Sequence, residues 1–280
     1  MKILVTGAGG QLGRCIEQAS HKYPGLHFTF TTSDELDLTQ FAVVGAFMRR
    51  EKFDLCINCA AYTNVEQAEK QQEMAYLINA ESVNNLARDC DETGCTLIHI
   101  STDYVFNGRK NSPYTEEDST DPLNVYGASK LLGEQYIQEA TDKYVILRTS
   151  WLYSEVGKNF FNSICSKAGA GETLNITSSQ KGTPTNAHDL ARFILNIIAE
   201  EKLKFGLYHY SNLGEATWLD FAREIVSLTK PDAVVVENND FKTLALRPSY
   251  SVLSKQKVQE VFGLPVPHWK ESLKQLIYRL

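Results

Sequence analysis

Met1-Lys2-Ile3-Leu4-Val5-Thr6-Gly7-Ala8-Gly9-Gly10-Gln11-Leu12-Gly13 opens the chain. An aliphatic, β-branched run passes into a glycine series. Residues 11–20 then carry apolar side chains at helical spacing. A strand, a G-x-x-G-x-x-G turn and a helix in that order predict the first unit of a dinucleotide-binding sheet. Gly7 permits the tight turn, Gly10 lets backbone approach a pyrophosphate, and Gly13 lets the helix lie close on the strand. Gln11 and Leu12 open the helix, whose free N–H groups and positive dipole end suit an anion. A glycine turn that binds nothing is the competing reading; its place between strand and helix argues against that.

Working outward, Phe28–Thr32, Asp54–Cys59, Thr96–Ser101 and Tyr144–Thr149 read as further strands. Phe41–Arg50, Met74–Cys90 and Val125–Glu139 read as amphipathic helices between them. This alternation implies right-handed crossovers and a parallel sheet covered on both faces. The expected class is α/β: a Rossmann-type doubly wound parallel sheet over residues 1–150, with its ligand site at the carboxyl ends of the strands. Beyond Trp151 the rhythm loosens. Helices at Phe160–Lys167, Ala187–Glu200, Trp218–Thr229 and Trp269–Tyr278, with short strands at Gly206–Tyr210 and Val234–Glu237, suggest that residues 151–280 are mainly a smaller substrate-binding cap. The chain is expected to cross back to the first domain.

A chain of 280 residues with a net charge of -6 is not built to coat nucleic acid or an anionic membrane. No uncharged apolar run approaches the ~20 residues of a membrane span. The first apolar run is also far shorter than the ~7–15 residue core of a signal peptide. The six cysteines, at 15, 56, 59, 90, 95 and 165, fall in expected strands and helices. Reduced thiols in a cytoplasmic protein are therefore expected. Cys56-x-x-Cys59 resembles half a zinc site but lies in a strand-like run and has no second ligand pair, so it is read as structural.

Tyr126-Gly127-Ala128-Ser129-Lys130 opens a helix and puts Tyr126 and Lys130 on one face. A nearby ammonium favours phenolate, so this spacing would lower the Tyr126 pKa and make it a general acid. Two other strand ends converge on the same edge. One is Ser101-Thr102-Asp103-Tyr104. The other is Ala60-Ala61-Tyr62-Thr63, whose small residues leave room for a cofactor's ribose and nicotinamide. Thr102 as a strand cap and Asp103 as a turn cap are the bland alternatives. Asp37, beside Leu38, is a candidate for the adenine amino group, or else opens the following helix. No acid is seen at the tip of the second strand, Thr31-Thr32-Ser33; its hydroxyls tolerate a 2′-phosphate and Arg14 could pair with one. NADPH is thereby favoured, with NADH left open.

These motifs resemble the extended short-chain dehydrogenase/reductase superfamily. Ser101-Thr102-Asp103-Tyr104-Val105-Phe106, Pro122-Leu123-Asn124-Val125-Tyr126-Gly127 and Arg148-Thr149-Ser150-Trp151-Leu152-Tyr153 are similar to its dTDP-4-dehydrorhamnose reductase family. The likeness continues through Gly206-Leu207-Tyr208-His209 and Arg247-Pro248-Ser249-Tyr250-Ser251. It implies hydride transfer from NAD(P)H to the C4 ketone of a dTDP-sugar. Tyr126 would protonate the oxygen and Lys130 would hold the nicotinamide ribose and tune Tyr126. Thr102 and Asp103 would bind the sugar, Trp151 would pack on the nucleotide end, and Arg247 would meet the diphosphate. A homodimer is compatible with that family. Mg²⁺ is often associated with it, but no clustered ligand set is visible, so no metal residue is assigned. Tyr104 stands after the Thr-Asp pair where related dehydratases place Glu, and epimerases lack the pair. A cofactor-binding regulatory subunit without turnover is the remaining alternative.

Overall fold

The computed structural model describes all 280 residues. In chain order its first half comprises β1 (Lys2–Thr6), α1 (Gln11–Ser20), β2 (His27–Thr31), α2 (Phe41–Glu51), β3 (Leu55–Asn58), α3 (Val65–Ala68), α4 (Gln72–Tyr76), α5 (Ser82–Thr93), β4 (Thr96–Thr102), α6 (Val125–Ala140) and β5 (Tyr144–Thr149). The five strands and a sixth, Gly206–His209, form one sheet with every neighbouring pair parallel. The order is Gly206–His209, β5, β4, β3, β1, β2, so strand order reverses beside β1. A crevice forms at that switch point because the loops on either side diverge.

Alternate residues of each strand feed opposite layers. Ile3 and Val5 of β1 pack with Leu12 and Ile16 of α1 and with Leu190, Ile194 and Ile198 of helix Ala187–Ala199. Leu4 faces the other way, into a core shared with Val44 and Met48 of α2, Leu86 of α5 and Ile137 of α6. A third core, of Phe161, Ile164, Phe221, Ile225, Trp269 and Leu273, belongs to the helices Phe160–Gly169, Trp218–Thr229 and Trp269–Ile277. No helix is long and apolar enough to cross a membrane.

Helix Ala187–Ala199 and strand Gly206–His209 carry the chain from the cap region back to the sheet. The helix is buried on several sides, at Leu190, Ala191, Ile194, Leu195, Ile197 and Ile198, and so needs both α1 and the sheet to cover it. The expected helix Met74–Cys90 is broken: α4 passes through a π-helical turn, Leu77–Glu81, into α5. Buried Asn79, in that turn, receives the Tyr62 amide at 2.8 Å and donates to the Tyr62 carbonyl and Ser129 Oγ, both at 3.0 Å. A π turn offers such a rotated side chain without ending the helix.

Glu134 of α6 and Arg148 of β5 form a buried ion pair, with Nη2 to Oε2 at 2.6 Å and Nε to Oε1 at 2.9 Å. Ser101 Oγ also donates to Glu134. Removing one partner strands the other charge, so Glu134→Ala is expected to destabilise the protein by roughly 3–5 kcal/mol. Chemical denaturation of the two proteins measures it; a loss below about 1 kcal/mol would contradict a fully desolvated pair.

Candidate active site

The glycine loop is held by backbone-on-backbone contact. Gly7 has φ +65°, and a Cβ there would lie 2.6 Å from the Ala60 amide nitrogen. A Cβ on Gly13 would lie 2.6 Å from the Gly7 carbonyl oxygen, which is why α1 can sit this close to β1. Gly10 is the N-cap of α1 and no side chain caps the helix, so its first-turn N–H groups remain available to an anion. A crevice of about 980 Å³ runs from Gly7, Gly10, Gln11 and Leu12 over the ends of β1, β3 and β4 to Trp151 and Trp218. Gly13 supports this wall from behind. Gln11 ties the loop to the cap by accepting from Asn159 Nδ2 at 2.9 Å and Ser154 Oγ at 3.2 Å.

Asp37, Leu38, Ala60, Ala61 and Thr63 line the crevice; Tyr62 does not. The Tyr62 ring turns away and its hydroxyl donates to Gln71 Oε1 at 2.8 Å. Asp37 accepts from the Thr39 amide and hydroxyl at 2.9 and 2.8 Å, closing a turn and not opening α2, whose N-cap is Gln40. The tip of β2 is also less open than its sequence suggests. Glu35 folds back and accepts from the Thr32 amide and hydroxyl at 2.8 and 2.9 Å, holding its carboxyl below the usual range. Arg14 Nε donates to the Gly9 carbonyl at 3.1 Å.

Tyr126 stands in the first turn of α6, which Asn124 caps by accepting the Gly127 amide at 2.8 Å. A Cβ on Gly127 would lie 2.2 Å from the Tyr104 carbonyl oxygen; only glycine lets α6 approach closely enough to bring Tyr126 beside Thr102. Burial pushes the Tyr126 phenol up to about 12, Thr102 opposes this by a hydrogen bond, and the Asp103 charge reinforces it. Lys130 is not among the groups that set this value. Lys130, 1% exposed, instead donates to the Ile100 carbonyl at 2.7 Å and lies 3.1 Å from His99 Nε2. Desolvation lowers its ammonium to about 8, against the pull of Glu134 and Cys59.

Thr102 Oγ1 accepts the Tyr104 amide and contacts Asp103 Oδ1, both at 3.1 Å. Asp103 Oδ2 is buried without a partner. Desolvation raises the Asp103 carboxyl from 3.8 to about 7, with the hydrogen bond from Thr102 opposing. Asp103 is part of the crevice lining, and an unpaired buried acceptor there is a binding group in waiting. Because its folded value is raised, Asp103 keeps its proton longer in the folded chain, so its burden on stability is absent near pH 4 and grows as pH rises toward about 7. Asp103→Asn removes that burden. Its melting temperature relative to the parent should climb across this window; a pH-independent difference would show that Asp103 is ionised throughout.

Trp151 has φ +46°, rare for a bulky residue. Its ring stacks on Trp218 with centroids 3.6 Å apart and planes at 6°. A Cβ on Gly182 would fall 2.6 Å from that ring. The pair forms an aromatic wall at the cap side of the crevice. Arg247 does not line it: Nη2 lies 3.0 Å from Glu66 Oε1. One arm of the fork expected to hold a diphosphate is thus engaged by a carboxylate that the sequence did not single out, while its Nε is buried without a partner.

The family model described as the RmlD substrate binding domain matches residues 1–280. The chain is 36% identical to the dTDP-4-dehydrorhamnose reductase of Aggregatibacter actinomycetemcomitans, over 98% of both chains. This chain belongs to the dTDP-4-dehydrorhamnose reductase family. Among solved structures of the family, that from Clostridium acetobutylicum superposes with a TM-score of 0.95 at 40% identity, covering 100% of this chain and 99% of that one. The Bacillus anthracis reductase, in complex with NADP, gives 0.94 at 34% identity, covering 99% of each chain. The glycine cradle, the uncapped α1 and the crevice beside them fit such a dinucleotide. No group of three or more His, Cys, Asp or Glu side chains stands together in the chain. Within this family frame, His99, Asn58, Glu134 and Trp218 are the site's supports that sequence reading missed. Only the polar His99 inside the apolar run Thr96–Ile100 signalled one of them.

Proposed function

We propose that the chain reduces the C4 ketone of dTDP-4-dehydro-β-L-rhamnose to dTDP-β-L-rhamnose, using NADPH or NADH with NADPH favoured. The observation that carries the reading is Tyr126, Thr102 and Asp103 converging on the crevice wall between the glycine loop and the Trp151–Trp218 stack. Gly7, Gly10, Gln11 and Leu12 would hold the pyrophosphate, Asp37 and Leu38 the adenosine end, and Ala60, Ala61, Thr63 and Lys130 the nicotinamide riboside. When bound, the reduced nicotinamide supplies the hydride.

Tyr126 is fully protonated at neutral pH with its phenol near 12, so it is an acid and not a base in the resting site. It donates its proton to the carbonyl oxygen as negative charge develops there. Thr102, whose single hydroxyl proton lies toward Asp103 Oδ1 at rest, turns it to the resulting phenolate, and the unpartnered Asp103 Oδ2 takes a sugar hydroxyl. Both interactions strengthen as charge moves, which is what lowers a barrier. The Trp151–Trp218 wall offers a stacking face to the thymine base.

Supplying the keto-sugar to the purified protein should oxidise one NADPH per sugar reduced, followed by loss of the reduced nicotinamide's absorbance. Conversion of dTDP-sugars with no net oxidation would instead indicate an epimerase or dehydratase on the same fold. Tyr126→Phe is expected to lower turnover by ~10²–10⁴ while cofactor affinity stays nearly unchanged. An equally active variant would remove Tyr126 from the proton step.

A further inference from the structure

A line of buried polar groups crosses the sheet beneath the crevice. Thr6, Asn58 and His99 stand opposite one another on β1, β3 and β4. Thr6 Oγ1 donates to Asn58 Oδ1 at 2.7 Å, and the Ala60 amide donates to the same oxygen at 3.1 Å. Asn58 Nδ2 lies 3.1 Å from His99 Nδ1, and His99 Nε2 lies 3.1 Å from Lys130 Nζ. His99, Asn58 and Thr6 are each no more than 1% exposed, and no bulk solvent reaches the line to repair a mismatch.

The donor and acceptor roles along this line are not independent. The Ala60 amide is a donor with no alternative role, so it fixes Oδ1 of Asn58 on its side and turns Nδ2 toward the ring. Nδ2 can only donate, so His99 Nδ1 must accept. A neutral imidazole then carries its proton on Nε2, where it points at Lys130. An ammonium has no lone pair to receive it.

We propose that His99, clamped by Asn58, is the positioning residue that biases Lys130 toward its neutral amine in the free protein. Protonating Lys130 requires the His99 proton to reside on Nδ1 and the Asn58 amide to turn over, which leaves the Ala60 N–H without its acceptor. Ala60 abuts Gly7 and lines the crevice, so the lysine's charge is linked to the wall against which a cofactor lies. The other groups facing Lys130 do not override this. Glu134, one turn along α6, is occupied by Arg148 and Ser101; Cys59, beyond β3, is a half-buried thiol raised to about 12 by desolvation and neutral. His99 itself faces one charged group, Lys130, and burial beside it keeps the ring unprotonated.

This inference rests on Lys130 acting at the cofactor only for its kinetic consequence. The tautomer is read without activity. In cofactor-free protein carrying nitrogen-15 histidine, above about pH 9 where the Lys130 amine is populated, the His99 resonances, identified by their loss in His99→Gln, should show Nε2 protonated and Nδ1 bare. A proton on Nδ1 in the parent overturns the proposal, and this measurement suffices even if no variant folds. In Asn58→Asp the carboxylate accepts from Thr6, Ala60 and His99 together, so the proton should move to Nδ1; an unchanged tautomer also overturns it. The alkaline limb of kcat/KM, placed near pH 8 by Lys130, should rise in Asn58→Asp by about one pH unit or more. A moved tautomer with an unmoved limb upholds the clamp and removes Lys130 from the reaction.

Discussion

Thr6, Asn58 and His99 form a polar ladder through the centre of the sheet, and the site depends on its being satisfied at every rung. Buried amide, hydroxyl and imidazole groups are costly when unpaired and strong when paired in a low dielectric. The in-register pairing of β1 with β3 and of β3 with β4 is what sets the three side chains opposite one another. A one-residue slip in either pair would send them to opposite faces. The ladder therefore fixes sheet register and ends on Lys130, so the reacting edge inherits its geometry from the core.

Around that ladder, close approach is obtained by leaving side chains out. Gly7 meets Ala60, Gly13 meets the Gly7 carbonyl, and on α6 Gly127 and Gly133 meet the carbonyls of Tyr104 and Asn79, each at a distance where a Cβ would collide. The helix that carries Tyr126 and Lys130 is thereby pressed onto the sheet along its length. Asn79 then stitches the Tyr62 backbone to Ser129 of the same helix. The buried Glu134–Arg148 pair anchors its middle to β5. Rigid support of this kind keeps a proton donor within reach of its target without reorganisation during the reaction.

The net charge of -6 gives no hint of a site for anions. Attraction comes from local geometry: the uncapped N-terminus of α1 presents aligned N–H groups. Burial meanwhile works against ionisation throughout the crevice, raising Tyr126 and Asp103 and lowering Lys130. All three shifts favour the uncharged forms. Ligands that bring charge and exclude water then determine which groups ionise.

The amino-acid sequence by itself determined the sheet, the glycine cradle and the pairing of Tyr126 with the Thr102–Asp103 strand end. These follow from local periodicity, glycine placement and the i, i+4 spacing of a helix, all of which are written in neighbouring residues. Tertiary structure alone decided the rest. Helix Ala187–Ala199 and strand Gly206–His209 joined the sheet because α1 and β5 offered uncovered faces, which no local pattern records. Tyr62 turned away because Asn79 holds its backbone, and Arg247 turned to Glu66, 181 residues distant in sequence. Lys130 donates to the Ile100 carbonyl and faces His99, two contacts that its helical spacing does not record. Spacing brings two side chains to one helix face; which partner each then takes depends on donors and acceptors that arrive from other strands.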